Sequence, residues 1–178
     1  MNSIEIHPAT LHDATTLAHL GKTTFSETFA HLNTEADMQE YLAENFSLEQ
    51  VIKELNDYNN KFFIALQENQ PIGYMKLRLG SHPDQPQPTH ALELERIYVL
   101  KAYLEKKVGS ALLHHAITFG QDLGYQTLWL GVWEHNDRAI HFYKRWGFTP
   151  YGSHIFLLGT DPQTDILMKK DLTELTRL

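Results

Sequence analysis

The sequence predicts an α/β sandwich, with helices packed on a mixed central sheet of about six or seven strands. Three observations carry this. Residues 108 to 123, VGSALLHHAITFGQDL, repeat their apolar side chains with the period of an amphipathic helix and stop at Gly124. Residues 128 to 133, LWLGVW, form an apolar run broken only by Gly131, as in a strand buried on both faces. Strand-like and helix-like segments follow one another through the chain, as a layered fold requires.

In chain order, Ile4, Ile6 and then Pro8 mark a short first strand, ended where the prolyl nitrogen has no proton to donate. Residues 10 to about 30 place Leu11, Ala14, Leu17, Ala18, Leu20 and Phe25 near one side of a helix. A second helical stretch, 34 to 56, does the same with Met38, Leu42, Phe46, Val51 and Leu55, and Ser47 followed by Gln50 can restart it as a capping box. KFFIAL at 61 to 66 and PIGYMKLRL at 71 to 79 flank a turn and predict an antiparallel hairpin. Residues 80 to 90 hold three prolines and no aliphatic side chain, which predicts a loop. Residues 91 to 100, ALELERIYVL, return to strand alternation, so Glu95 is expected on one face with Glu93, Ile97 and Val99. After the helix at 108 to 123 come a strand over 126 to 133, a helix over 137 to 146, and two final strands at 149 to 158 and 164 to 170.

Length, charge and composition narrow the function. A chain of 178 residues suits one domain, 1 to 178, with a sizeable core. Having no cysteine, it has no disulfide, thiolate metal site or cysteine nucleophile, which suits a reducing, cytoplasmic setting. The N-terminus lacks a basic segment followed by an apolar run, and no long apolar stretch occurs, so neither export nor membrane insertion is expected. A formal net charge of −7 repels a phosphate backbone and attracts a cationic ligand, so no nucleic-acid partner is expected. Eleven histidines invite a metal site, but His114 and His115 are adjacent and diverge by about 100° on a helix, and no HExxH occurs, so no metal is expected. Edge strands near the C-terminus offer a route to a homodimer.

The richest stretch is WLGVWEHNDRAIHFYKRWGF, residues 129 to 148, in which a buried strand passes through Asn136, a preferred helix cap, into a short amphipathic helix ended by Gly147. Asn136, Ala139, Phe142, Tyr143, Gly147 and Phe148 match the signature of the GCN5-related N-acetyltransferases (GNAT), which this chain resembles from about residue 4 to 170. The resemblance implies acetyl-CoA as co-substrate, an amine as acceptor, and parallel strands at 91 to 100 and 126 to 133 that splay to admit the pantetheine arm. It implies that Tyr143 protonates the leaving thiolate, that Glu95 takes the amine's proton, and that the backbone of Ile97, Tyr98 and Val99 holds the acetyl carbonyl and pantetheine. Asn136, Ala139 and Phe142 would meet the cofactor.

The loop YLEKKVGSA, residues 103 to 111, departs from the family's glycine-rich pyrophosphate loop, retaining Gly109 as its clearest small residue. Glu105, Lys106, Lys107, Val108, Gly109 and Ser110 are the candidate cradle, where backbone N–H groups and a helix N-terminus do the binding. Two readings stay open: a cradle that still binds acetyl-CoA, or a loop that has lost affinity, leaving a non-catalytic acyl-CoA or polyamine sensor. With FSETFAHLNTEADMQEYL and GSHIFLLGTDPQTDILMKKDL, the chain further resembles PaiA-like spermidine and spermine acetyltransferases. That resemblance implies a polyamine or related small amine, met by Glu27, Glu93 and Asp165; other small amines and protein amines remain alternatives. Without a cysteine to carry the acetyl group, transfer is expected to be direct, in a ternary complex.

Overall fold

The computed structural model describes residues 3–80, 82 and 87–173. Residues 81 and 83–86 of the loop expected over 80 to 90 therefore lie outside the described residues. The elements are β1 (Ile4–Pro8), α1 (Ala14–Phe29), α2 (Glu35–Phe46), α3 (Leu48–Asn56), β2 (Asn60–Gln67), β3 (Gln70–Arg78), β4 (Ala91–Val99), α4 (Val108–Asp122), β5 (Thr127–Trp133), α5 (Asp137–Arg145), β6 (Thr149–Leu158) and β7 (Asp161–Asp171).

The expected second helical stretch divides where Ser47 leaves helical geometry. Its hydroxyl accepts the Gln50 N–H at 3.2 Å and starts α3. Gln50 does not complete a reciprocal box, because its side-chain amide donates onward to Glu54. The hairpin turn is shorter than expected: Glu68 and Asn69 alone form it, with φ of 51° and 62°, and Gln70 already belongs to β3.

Among the described residues the sheet has seven strands in the order β1-β2-β3-β4-β5-β7-β6. Every neighbouring pair is antiparallel except β4 and β5. Helices cover both faces. On one, Val108, Leu112, Leu113 and Ala116 of α4 and Ile140 and Tyr143 of α5 pack with Met75, Leu77, Leu92, Leu94, Leu128 and Leu130. On the other, Leu17 and Leu20 of α1 and Val51 of α3 pack with Phe62, Ile64 and Tyr74, while Phe25, Met38 and Phe46 join α1 to α2. Fully burying an aliphatic or aromatic side chain of this kind contributes about 1.5–3 kcal/mol each, which is why both sides of the sheet need a helical layer. β6 remains an edge strand, with Ile155 and Leu157 exposed.

Two departures from regular pairing shape the centre of the sheet. The β4–β5 ladder spans only Ala91↔Thr127, Leu92↔Leu128 and Glu93↔Trp129. Beyond these the two strands part. The second departure overturns the expected alternation of β4. Lys76 pairs with Arg96 but Leu77 pairs with Leu94, so Glu95 is the extra residue of a β-bulge. Ile97 and Val99 consequently pack with Leu92 and Leu94 on the α4 side, whereas Tyr98 joins the α1 side. Glu95 therefore does not share a face with Ile97 and Val99, as simple period-two reading predicts.

Candidate active site

Past Glu93 and Trp129, the facing edges of β4 and β5 have no ladder partner. Buried backbone N–H and C=O groups carry a cost unless they are paired, so this wedge favours an extended molecule that brings amide groups of its own. A cavity of about 1140 Å³ opens there, running from the α1–α2 side of the sheet to the loop before α4. Of the residues singled out in the sequence, all but Lys106 line it. The Lys106 ammonium instead lies over the Tyr103 ring at 4.8 Å from its centroid, a cation–π contact that turns it aside. Its expected place in the cradle is corrected accordingly.

The loop before α4 takes a form usually reserved for glycine. Glu105 and Lys107 sit at φ of 67° and 65°. The left-handed region costs a non-glycine residue roughly 1–2 kcal/mol. Lys107 is the N-cap of α4 and offers no side-chain bond, and the first helical bond runs from the Ala111 N–H to the Lys107 carbonyl at 3.0 Å. The N–H groups of Val108, Gly109 and Ser110 thus precede the helical ladder and are directed outward with the positive end of the helix dipole. A helix start of this kind offers backbone donors to an anion whatever the side chains at Glu105 and Lys107. Lys107→Gly should stabilise the fold by about 0.5–1 kcal/mol, set by the left-handed cost less glycine's extra chain entropy; the denaturant midpoint measures it, and a decrease would contradict the strain.

On the far side of the gap, the Asn136 Oδ1 accepts the Ala139 N–H at 3.2 Å and starts α5. The capping bond fixes the helix whose next turns carry Phe142 and Tyr143 into the cavity wall. Tyr143 is only 7% exposed, with its ring against Phe142 and Phe148. Burial pushes its phenol well above the ordinary value. Among the described residues no hydrogen bond holds its hydroxyl. Arg138, which meets Glu105 at 3.8 Å, and Arg145 also line the cavity from α5. Both went unnoticed in the sequence, although their spacing of seven places them on one helix face.

The α1–α2 side of the cavity is acidic and aromatic. Phe29, Tyr41, Trp133 and Phe156 line it, with Phe29 set edge-on to Trp133 at 6.0 Å. Glu27 is there, but one of its carboxylate oxygens accepts the Lys101 N–H at 2.8 Å, so it serves in part as a backbone cap. Glu93, at the point where β4 leaves β5, is buried and accepts a hydrogen bond from Arg78 Nε at 3.0 Å. Burial and the neighbouring Glu95 raise its pKa to about 7 against the opposing pull of Arg78. Glu95 has the opposite character. It accepts bonds from Lys76 Nζ at 2.9 Å and Arg78 Nη2 at 2.6 Å, and these cations, with Arg96, overcome burial and hold it down to about 2.

Asp165 on β7 lies opposite Trp133 of β5. A side chain at Gly131 would place its Cβ 3.0 Å from the Asp165 Oδ2, so glycine at that position lets the carboxyl rest against β5. Among the described residues Asp165 has no ion pair or hydrogen bond, and burial raises its pKa from 3.8 to about 7. The folded pKa lies above the unfolded one, so the folded chain binds more protons between these values. Stability attributable to the neutral carboxyl therefore falls as pH rises through that window, and the penalty is fully present above about 7. Asp165→Asn should remove it. The stability gain of the variant over wild type should grow by about 2–3 kcal/mol between pH 5 and pH 8, read by denaturant unfolding; a gain independent of pH would contradict a part-buried, unpaired carboxylate.

A sheet whose only parallel pair splays open, a helix N-terminus aimed at one end of the gap and a buried tyrosine in its wall define an N-acetyltransferase that draws its acetyl group from acetyl-CoA. The chain belongs to the acetyltransferase (GNAT) family, whose model matches residues 24–148. It is 31% identical over 172 residues to an N-acetyltransferase encoded in the pepI 3′ region of Lactobacillus delbrueckii subsp. lactis, a match covering 97% of this chain and 99% of that protein. It is 25% identical over 150 residues to the spermidine N(1)-acetyltransferase of Thermoplasma acidophilum, covering 82% of this chain and 88% of the relative. The fold is also that of the PaiA N-acetyltransferase of Thermoplasma acidophilum, solved in complex with coenzyme A, at a TM-score of 0.78 and 24% identity over 95% of this chain and 99% of that one.

Proposed function

We propose that this protein acetylates a primary amine of a polyamine, such as spermidine or spermine, by direct transfer from acetyl-CoA within a ternary complex. The observation that carries the reading is the meeting of two elevated carboxyls, Glu93 and Asp165, with aromatic walls in the cavity that opens between β4 and β5. Glu93 is level with Trp129, while the Asp165 carboxyl rests at Gly131, two residues further along β5. That stagger is about 7 Å at the rise of a strand, on the order of the separation of neighbouring polyamine nitrogens. One carboxylate then faces the reacting nitrogen while the other meets a remaining ammonium, and the aromatic faces favour the same cation. The spermidine N(1)-acetyltransferase relative supports this substrate class.

Acetyl-CoA supplies an activated thioester carbonyl. Backbone groups of Ile97, Tyr98 and Val99, a stretch that keeps its ladder to β3 but has none to β5, would hold its acyl end, and an N–H directed into the gap would stabilise charge developing on the carbonyl oxygen. The first-turn amides of α4, with Glu105 and Lys107 forming the left-handed loop, would cradle its pyrophosphate, flanked by Arg138 and Arg145. Asn136, Ala139 and Phe142 would pack along the pantetheine arm.

The proton steps follow from the two strand carboxyls. An acceptor amine has a solution pKa near 10 and must lose a proton before attack. Glu95, expected in the sequence to take it, is held at about 2 by three cations and is a weak acceptor; its fixed negative charge instead helps draw the ammonium in. Glu93, at about 7, is matched to accept a proton near neutral pH. Tyr143, kept protonated by burial, donates to the departing thiolate. The chain's lack of cysteine supports transfer without an acetyl-enzyme, and suits work in the cytoplasm.

The test is thiol release measured across spermidine, spermine, a monoamine of similar length and a peptide with a free N-terminus. The expected result is a kcat/KM for the polyamines at least tenfold above that for the monoamine, with Asp165→Asn narrowing the gap. Equal efficiencies, or a preference for the peptide, would contradict the polyamine reading.

A further inference from the structure

Behind Glu93 runs a buried chain of charges with no counterpart in the sequence motifs. The bulge at Glu95 sets Glu95 and Arg96 on the same side of the sheet, towards α3. Arg96 then falls directly opposite Lys76, a pairing of like charges that is unfavourable by itself. Glu54 of α3 resolves it, accepting from both Arg96 guanidinium arms at 2.8 and 3.1 Å and meeting the Lys76 ammonium at 3.3 Å. Lys76, 2% exposed, passes to Glu95 at 2.9 Å, Glu95 to Arg78 at 2.6 Å, and Arg78 to Glu93 at 3.0 Å. Three carboxylates and three cations thus balance, anchored on a helix at one end and reaching the cavity at the other.

From this geometry we propose that Arg78 is a positioning residue for acetyl transfer, clasping Glu93 through Nε and Glu95 through Nη2 so that the Glu93 carboxyl is held at the mouth of the β4–β5 gap. The inference rests on the reading of Glu93 as proton acceptor. Among the described residues Arg78 alone joins Glu93 to the anchored cluster by a direct contact, since the cluster's other ion pairs end on Glu54 or Glu95. A guanidinium suits this place because its rigid fork reaches two carboxylates at once; an ammonium presents a single point of charge.

The charged and titratable groups facing Glu93 are Arg78 and Lys76 from β3, Glu95 from β4 and Tyr151 from β6, with Lys169 of β7 over the Tyr151 ring at 5.6 Å. Asp165 and His82 share the cavity wall. Arg78 is the largest of the cationic influences on Glu93. Removing its charge strengthens the carboxyl's hold on a proton, so the acidic limb of the rate profile moves to higher pH.

The experiment is the pH profile of kcat/KM for Arg78→Met and Arg78→Lys, with Glu93→Gln in parallel. The expected result for Arg78→Met is an acidic limb displaced upward by about one pH unit or more, with at least a tenfold loss at neutral pH. Arg78→Lys, which keeps the charge but not the fork, should return the limb towards its wild-type position with a lower plateau. This variant also keeps a cation beside Glu95, so it carries the test where Arg78→Met folds poorly. A uniform fall at every pH with an unmoved limb, or Arg78→Lys with a wild-type plateau, would overturn the positioning role. Glu93→Gln separates the two readings. If it abolishes the limb while Arg78 variants leave the limb in place, only the role of Arg78 fails; if the limb persists in Glu93→Gln, the proton-acceptor reading fails and this inference with it.

Discussion

Tyr143→Phe is expected to lower kcat by about 10²–10⁴-fold while leaving acetyl-CoA binding within a few-fold of wild type. The size follows from the departing group. A thiolate expelled into a buried wall needs a proton, and Tyr143 is the phenol that α5 holds there. The substitution is structurally mild, because the hydroxyl holds no hydrogen bond among the described residues and the ring keeps its contacts with Phe142 and Phe148. Loss of turnover with unchanged melting temperature and unchanged affinity is the predicted pattern, read by steady-state kinetics and titration on one preparation. A variant with wild-type kcat would remove Tyr143 from the chemistry. One with weakened binding and intact kcat would make it a cofactor contact instead.

Glu93→Gln is expected to cost about 10²–10⁴-fold in kcat/KM and to flatten the acidic limb of its pH profile. Two carboxylates of a single strand contrast here. Glu93 and Glu95 are two residues apart, yet the three cations around Glu95 hold it at about 2 whereas burial leaves Glu93 at about 7. Only the second can gain and lose a proton near neutrality without a large penalty. Glu95→Gln should behave differently: it takes one of two carboxylate partners from both Lys76 and Arg78, so its main effect should fall on stability, with about 3–5 kcal/mol as the upper bound set by stripping a buried ion pair of one partner altogether. If Glu93→Gln kept its limb and Glu95→Gln abolished it, the assignment of roles would be reversed.

Much of this arrangement was legible in the sequence because it rests on local rules. The cap at Asn136, the stripe leading to Tyr143 and the amphipathic helix ending before Gly124 depend on residues within one or two turns of each other, and α5 and α4 lie where those signals place them. The parallel placement of 91 to 100 beside 126 to 133 came from the family resemblance, and the β4–β5 ladder agrees with it. What escaped was non-local. The bulge leaves a mark in ALELERIYVL that a simple period-two reading passes over, because Leu92 and Leu94 fall on even positions and Ile97 and Val99 on odd ones; that Glu95 is the extra residue shows only once β3 is paired with β4. The partnership of Glu54 with Arg96 spans 42 residues and depends on how α3 packs. The resemblance implies Asp165 as an amine contact, but that its carboxyl rests unpaired at Gly131 shows only once β7 is seated against β5. Lys107 without glycine's freedom, and the negative charge of Glu105, left a weakened cradle open as one reading, yet both positions hold a positive φ.

Acetyl transfer here requires that the backbone cradle within residues 105 to 110 bind the donor and that the acidic, aromatic side of the gap deliver the amine. One preparation answers both: calorimetric titration with acetyl-CoA, followed by thiol release on addition of spermidine. Saturable binding followed by thiol release that requires spermidine is the predicted result. Absence of binding, or thiol release at the same rate with and without the amine, would contradict it.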